Sequence, residues 1–345
     1  MKILIVKRDK IGDLLLTTPL LAHLARALPG ARVHVLANDY NAWVVADHPD
    51  VERVWVYRRT RHAGAVRVGA ALAQVRQFFA LRGERFDVAI AAGGKESPRA
   101  IRRALAARAA RTIAYAQRPH RYGRRLTDAL PPPASGHEIE RIFGLVAPLG
   151  VAPPPVAPWP QFRPPQRWLD DALAWLAAAG IAPGAYVVLG LSARDAPKVP
   201  SPEQVLRWAA RLQREWGCAT LLQFTPGEAA DPLYPGSDAL ARGILAAAPP
   251  HLRGMPDGLP AAIGLIGLAR TSVLPDSGLM HFAAASPGGV VGLFADCARL
   301  SSPAQWGPRG PRAVALEAER AVADLDDAAV FAALAPLAAA HGPGA

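Results

Sequence analysis

Within six residues, Asp276, Ser277, Gly278 and His281 offer a carboxylate, a hydroxyl, a bare glycine backbone and an imidazole. An apolar run at 272–275 precedes them and a second, 289–294, follows, so the stretch reads as strand, turn, helix, strand. That order places the four groups where a helix begins beside the carboxyl end of a strand, the position at which open α/β sheets bind ligands. Free N–H groups and a partial positive charge at such a helix end suit a phosphate or diphosphate. The plain structural alternative is that Ser277 only caps the helix and His281 only packs.

A second loop of the same kind lies near the start of the chain. Lys7, Lys10, Gly12 and Asp13 follow the apolar run 3–6 and precede an apolar helical stretch from about 14 to 28. Gly12 lets the backbone turn or approach a ligand closely. Asp13 is either a first-turn acid complementing the helix dipole or a general base. Lys7 and Lys10 either hold its pKa low or bind an acceptor phosphate. Pro19, inside the apolar stretch, marks a kink or a later helix start. The loop lacks the G-x-x-x-x-G-K-[ST] pattern, so it is not a P-loop. In the second half, Ser192 and Lys198 follow the strand 186–190, and Glu228 follows the strand 218–224. Lysine there can neutralise a diphosphate leaving group, and glutamate can accept hydrogen bonds from a ribose.

The elements that must position these groups alternate in type. Strands are expected at 2–6, 32–36, 51–57, 86–91 and 111–115, with helices at about 65–81 and 137–149. After a Pro-rich stretch at 151–165 come strands at 186–190, 218–224 and 312–317, and helices at 237–247, 259–269 and 323–339. Ser201, Pro202 and Gln204 open another helix as N-cap, N1 and N3. Such alternation argues an α/β fold with parallel sheets in two domains facing a central cleft.

Composition narrows the function classes. The 345 residues are 51% hydrophobic and 19% charged, as in a globular protein, and no run is long and apolar enough to span a membrane. The apolar run at the start is too short for a secretory signal. Two cysteines supply neither a disulfide framework nor metal-ligand spacing, so the cytoplasm is the expected location. Between Arg53 and Arg125 stand eighteen Lys or Arg against three acids, more than the net charge of +11 of the whole chain, so the rest is net acidic. This segment is either a solvated face or a surface for an anionic partner. Nucleic acid is not expected, because no binding motif and few interleaved aromatics accompany the charge.

The opening K-I-L-I-V-K-R-D-K-I-G-D-L-L-L-T-T-P-L-L, the segment P-D-S-G-L-M-H-F-A-A-A, V-V-G-L-F followed by Q-W-G-P, and H-E-I-E-R-I-F-G-L-V resemble the ADP-heptose:lipopolysaccharide heptosyltransferases, glycosyltransferase family nine. The likeness runs from Met1 to about Gly310. It implies a GT-B fold of two Rossmann-like domains. Residues 1–155 would bind the acceptor and 156–345 the nucleotide-sugar, with the last helix, about 323–339, packing back toward the first domain. It implies inverting transfer of a heptose from ADP-heptose to a lipopolysaccharide inner-core acceptor, with no metal and no cofactor.

By the same resemblance Asp13 is the catalytic base, Lys198 lies near the donor diphosphate, and Asp276 binds heptose hydroxyls. Ser277, Gly278 and His281 form the phosphate-binding turn, and Glu228 matches the ribose-binding glutamate. Ser192 joins the donor set, while Lys7, Lys10 and Gly12 lie on the acceptor side. The arginine-rich segment would then meet a phosphorylated glycolipid and the anionic surface of the inner membrane. The stretch from Gly190 to Pro200 departs from the family's usual sequence, which leaves donor identity and the role of Ser192 open. A relative using another nucleotide-sugar or a protein or capsule acceptor, and a non-catalytic sugar-nucleotide binder, are the alternatives.

Overall fold

The computed structural model describes residues 1–58, 61–62, 65–66, 68–117, 119–227 and 236–339, with backbone alone for those up to 74 that follow 58. The chain divides into two compact units, Met1–Gln161 and Phe162–Ala345. Glu228 lies outside the described residues, as do several arginines of the basic segment.

The first unit runs β1 (Lys2–Val6), α1 (Ile11–Leu15), α2 (Thr18–Ala27), β2 (Arg32–Asn38), β3 (Arg53–Tyr57), β4 (Arg61–His62), β5 (Ala65–Val66) and α3 (Val68–Gly83). It continues with β6 (Val88–Ala91), α4 (Pro98–Ala106), β7 (Arg111–Tyr115), β8 (Asp128–Leu130) and α5 (Glu138–Phe143). Six strands form one parallel sheet in the order β3-β2-β1-β6-β7-β8. Ile3, Leu4, Ile5 and Val6 are fully buried, as a central parallel strand covered on both faces requires.

The second unit runs α6 (Gln166–Ala179), β9 (Tyr186–Gly190), α7 (Pro202–Trp216), β10 (Ala219–Gln223), α8 (Asp238–Ala246), β11 (Leu252–Gly254) and α9 (Leu259–Gly267). Then come β12 (Thr271–Pro275), α10 (Gly278–Ala284), β13 (Val290–Ala295), α11 (Pro303–Trp306), β14 (Ala313–Ala318) and α12 (Asp327–Ala339). Its sheet, β11-β10-β9-β12-β13-β14, is also parallel throughout. Both sheets therefore carry the doubly wound order, in which the chain returns to the centre and reverses direction after the third strand. The reversal leaves a crevice at the carboxyl ends of β1 and β6 in one unit, and of β9 and β12 in the other.

Local differences from expectation have local causes. The stretch 14–28 is two helices, because the Thr17 hydroxyl donates to the Asp13 carbonyl at 2.9 Å and Pro19 stands in the first turn of α2. Pro19 thus marks a helix start. The expected helix from 65 begins at Val68, since Ala65 and Val66 pair antiparallel with His62 and Arg61. The helix expected over 137–149 ends at Phe143 and continues as a 3₁₀ turn containing Pro148. Helix α12 starts four residues later than expected, after a 3₁₀ turn at Val322–Asp324. It packs on the sheet of its own unit, with Val330, Phe331, Leu334 and Leu337 in the core under β12 and β13. The Ser201 cap forms as expected: its hydroxyl accepts the Gln204 N–H at 3.2 Å, and Gln204 Oε1 accepts the Ser201 N–H at 3.0 Å.

Candidate functional site

In the first unit the chain leaves β1 at Val6 and places Lys7 inside the protein, 1% exposed. Its ammonium meets Glu138 Oε1 at 3.6 Å and Asp9 Oδ2 at 3.7 Å. Glu138, at the first position of α5, is itself buried and accepts the Gly94 N–H at 2.8 Å. Gly94 lies just beyond β6, and any side chain there would run into Glu138 and Arg141. Three segments, from the ends of β1 and β6 and the start of α5, thus converge on one ammonium.

Asp13 stands beside this cluster in the first turn of α1, half-buried, with Oδ2 accepting the Lys10 N–H at 3.0 Å. The first-turn role is therefore real. Burial nevertheless raises the Asp13 carboxyl above its ordinary range. Lys7 and the Lys10 N–H oppose that rise, and the charges of Asp9 and Glu138 add to it. The Lys7 pKa is also raised, for a different reason. Burial alone would lower its ammonium, but Asp13, Glu138 and Asp9 together outweigh it and raise the pKa. Lys7 is enclosed among carboxylates and acts on Asp13 through its charge, but the expectation that the lysines hold the Asp13 pKa low is not met, because burial outweighs them. Lys10 is exposed. Gly12 is buried within α1, so it contributes no turn.

In the second unit β9, β10, β12 and β13 deliver the other candidates. Asp276 follows β12 and Lys198 ends a 3₁₀ turn, Ala196–Lys198, in the loop after β9. They meet: Lys198 Nζ donates to Asp276 Oδ2 at 2.9 Å and to Ser301 Oγ at 2.6 Å, and pairs with Asp195 Oδ2 at 3.1 Å. The Ser301 hydroxyl in turn donates to Asp276 Oδ2. Ser277 occupies the N-cap position of α10 with extended backbone, yet its side chain makes no cap hydrogen bond. The side-chain capping explanation for Ser277 therefore fails. Gly278 opens α10. His281 is buried on its next turn, 5% exposed, consistent with the packing alternative for that residue.

Ser192 stands apart from the Lys198 cluster. It accepts from Gln223 Nε2 at 3.0 Å and from the Thr225 hydroxyl at 2.7 Å, at the ends of β9 and β10. Thr225 also binds Ser237 through the backbone N–H, at 3.0 Å, which ties this hydroxyl group to the start of α8. Cys297, near Lys198 and Asp276, has its thiol pushed up to about 12 by burial and by its bond to Glu317, which favours the protonated thiol over the thiolate.

Glu138, Ser301 and Asp195 are functional candidates that the sequence reading missed. Glu138 had one available signal, its place in the H-E-I-E segment. Ser301 and Asp195 had none beyond proximity to motif residues.

Part of the basic segment is internally compensated. Arg53 lies over Trp55 and pairs with Glu84 at 3.1 Å, Arg103 lies over Tyr57, and Arg111 pairs with Asp128 at 2.8 Å. Arg99, Arg102, Arg108, Arg121, Arg124 and Arg125 are exposed. On α3, Val75 and Phe79 stand 52% and 63% exposed one turn apart, on one face.

The family model for Glycosyltransferase family 9 (heptosyltransferase) matches residues 254–331, which include Asp276, Ser277, Gly278, His281 and Ser301. Among solved structures, a glycosyl transferase family 9 protein from Veillonella parvula is similar over 98% of this chain and 97% of its own, with a TM-score of 0.79 and 16% identity. E. coli ADP-heptose LPS heptosyltransferase II is similar over 98% and 99%, with a TM-score of 0.73 and 20% identity. E. coli heptosyltransferase WaaC with ADP follows over 98% and 100%, with a TM-score of 0.71 and 20% identity. No curated protein matches by sequence. The chain has the GT-B fold, as the motif resemblance implied, and residues 254–331 of its second unit match the family 9 model.

Proposed function

We propose that the protein transfers a heptose from ADP-heptose to a phosphorylated inner-core acceptor of lipopolysaccharide, with inversion at the anomeric carbon and without a metal ion. The observation that carries this reading is the part-buried Lys198–Asp276 pair at the switch point of the second sheet, followed in the chain by Ser277, whose side chain makes no cap bond. It puts a cation for a diphosphate within one contact of a carboxylate for sugar hydroxyls, and that carboxylate lies inside the segment matching the heptosyltransferase family. ADP as the nucleotide is further supported by its presence in the similar WaaC structure.

In this reaction Asp13 takes the proton from an acceptor hydroxyl, and the oxygen forms a bond to the anomeric carbon as the bond to ADP breaks. The electron pair leaves with the diphosphate. Lys198 and the N–H groups at Ser277 and Gly278 stabilise the growing negative charge, and Asp276 holds the sugar. The raised Asp13 carboxyl suits a base, since it binds a proton more strongly than an ordinary aspartate. His281 lines the donor turn, Ser192 with Thr225 lies toward the nucleoside, and Glu228 is assigned to the ribose. Lys10 and the Gly12 backbone lie on the acceptor side, while Lys7 acts on Asp13 through its charge.

The exposed arginines and the Val75–Phe79 face of α3 suit the anionic surface of the inner membrane, at which a cytoplasmic enzyme would meet a lipid-anchored acceptor. Among the described residues no helix is long and apolar enough to cross a membrane. A thermal-shift panel of ADP-, GDP- and UDP-sugars, followed by transfer assays with the stabilising donor, tests the reading. Stabilisation by ADP-heptose and transfer to a phosphorylated core glycolipid is expected. Stabilisation by GDP or UDP alone would overturn the donor assignment.

A further inference from the structure

A lysine ammonium has three N–H groups and no acceptor. That of Lys198 meets three oxygens, on Asp276 at 2.9 Å, Ser301 at 2.6 Å and Asp195 at 3.1 Å, and the side chain is only 6% exposed. A diphosphate oxygen can therefore gain Lys198 only by displacing one of them. The three are not equally held. Asp276 and Ser301 also bind each other, and the Asp276 side chain is 12% exposed. The Asp195 side chain is 35% exposed, and among the described residues Lys198 is its one ion-pair or hydrogen-bond partner. Once released it returns to water, whereas releasing either of the others breaks two contacts.

We propose that Asp195 is the partner that yields, holding the Lys198 ammonium in the donor-free protein and giving way to the diphosphate, so that it acts as a built-in competitor setting donor affinity. The inference rests on the reading of Lys198 as a diphosphate ligand. Asp195 lies in the Gly190–Pro200 stretch, so its effect belongs to this chain's own loop. Once displaced, its carboxylate stays close enough to the bound diphosphate to repel it. The opposite role, a carboxylate accepting from a donor hydroxyl, predicts the opposite sign.

The test is calorimetric titration of ADP into the full-length protein and its D195N, D195E and K198M variants, with melting temperatures recorded for each. D195N should bind ADP about 3- to 10-fold more tightly, the scale of one partly screened charge interaction. D195E, which restores the charge, should return toward the parent affinity. Unchanged or weaker ADP binding by D195N overturns the proposal, as does equal tightening by D195E. K198M should bind ADP at least about tenfold more weakly, the loss of a charge-assisted contact. If K198M binds ADP like the parent, the diphosphate reading of Lys198 itself fails. If K198M is weakened and D195N is not tightened, only the competitor role falls.

Discussion

Replacing Glu138 by glutamine should move the acid limb of the kcat/KM profile to lower pH. The ammonium of Lys7 sits 3.6 Å from Glu138 and 3.7 Å from Asp9, with both Lys7 and Glu138 buried. At an effective dielectric constant of about 20, a pair at that 3.6 Å separation is worth about 4 to 5 kcal/mol before desolvation is counted. Glutamine keeps an oxygen for the Gly94 N–H but removes that attraction. Lys7 then turns more of its charge on Asp13. Loss of the Glu138 charge also removes one of the influences that raise the Asp13 carboxyl. Both changes lower its proton affinity.

A base with a raised pKa is protonated, and activity is lost, as pH falls through that value, so lowering it extends activity to more acid conditions. Because only one of several opposing influences is deleted, the expected displacement is about 0.5 to 1.5 pH units. Plateau kcat should fall by several-fold at most, because a weaker base drives proton transfer less strongly. The assay is transfer at subsaturating acceptor across the pH range, with a thermal melt at each pH to separate chemistry from unfolding. A limb that stays in place, or moves to higher pH, would refute the account of the Lys7 cluster. Loss of activity with an unmoved limb would assign Glu138 a purely structural part.

Asp13→Asn keeps the oxygen that accepts the Lys10 N–H and removes the base, so kcat should fall on the order of 10²- to 10⁴-fold with ADP affinity retained; near-normal turnover would exclude Asp13. Ser277→Ala and Ser201→Ala should separate function from capping. The first should leave the melting temperature nearly unchanged and raise the donor KM, since Ser277 makes no cap bond, while the second should cost about 1 kcal/mol of stability and spare the KM. In vesicle co-sedimentation, binding to anionic vesicles should weaken as salt rises and weaken further in Phe79→Ser, whose parent side chain is 63% exposed; salt-independent binding would count against the basic surface.

How much of this was legible in sequence depended on whether the cause was local. The turn from Asp276 to His281 could be placed at a strand end because apolar runs flank it directly, and β12 and β13 lie within three residues of the expected limits. The Ser201 cap needs only four consecutive residues, and it forms as read. The break between α1 and α2 was half-visible: Pro19 announced a boundary, but the Thr17 bond that ends the first turn left no pattern. Helix α4, strands β8 and β11 and helix α6 went unread, being short or bordered by Pro and Arg that blur the period.

The sites show the same division more sharply. Asp13, Lys198 and Asp276 could be nominated one at a time, each from its place after a strand. Their partners could not. Glu138 lies far along the chain from Lys7, and it reaches the ammonium only because the sheet order sets β6 beside β1, while the Gly94 N–H beyond β6 anchors its carboxylate. Ser301 reaches Lys198 across a separation of 103 positions. Sequence motifs thus named the charges proposed to do the chemistry, whereas the groups that tune those charges are set by topology. That difference decides which substitutions are informative: changes at Asp13 or Lys198 ask whether the site is the right one, and changes at Glu138 or Asp195 ask how the fold adjusts it. If both tuning variants left the pH profile and ADP affinity unmoved while Asp13→Asn and Lys198→Met abolished function, the charges would act alone and the buried contacts around them would serve stability only.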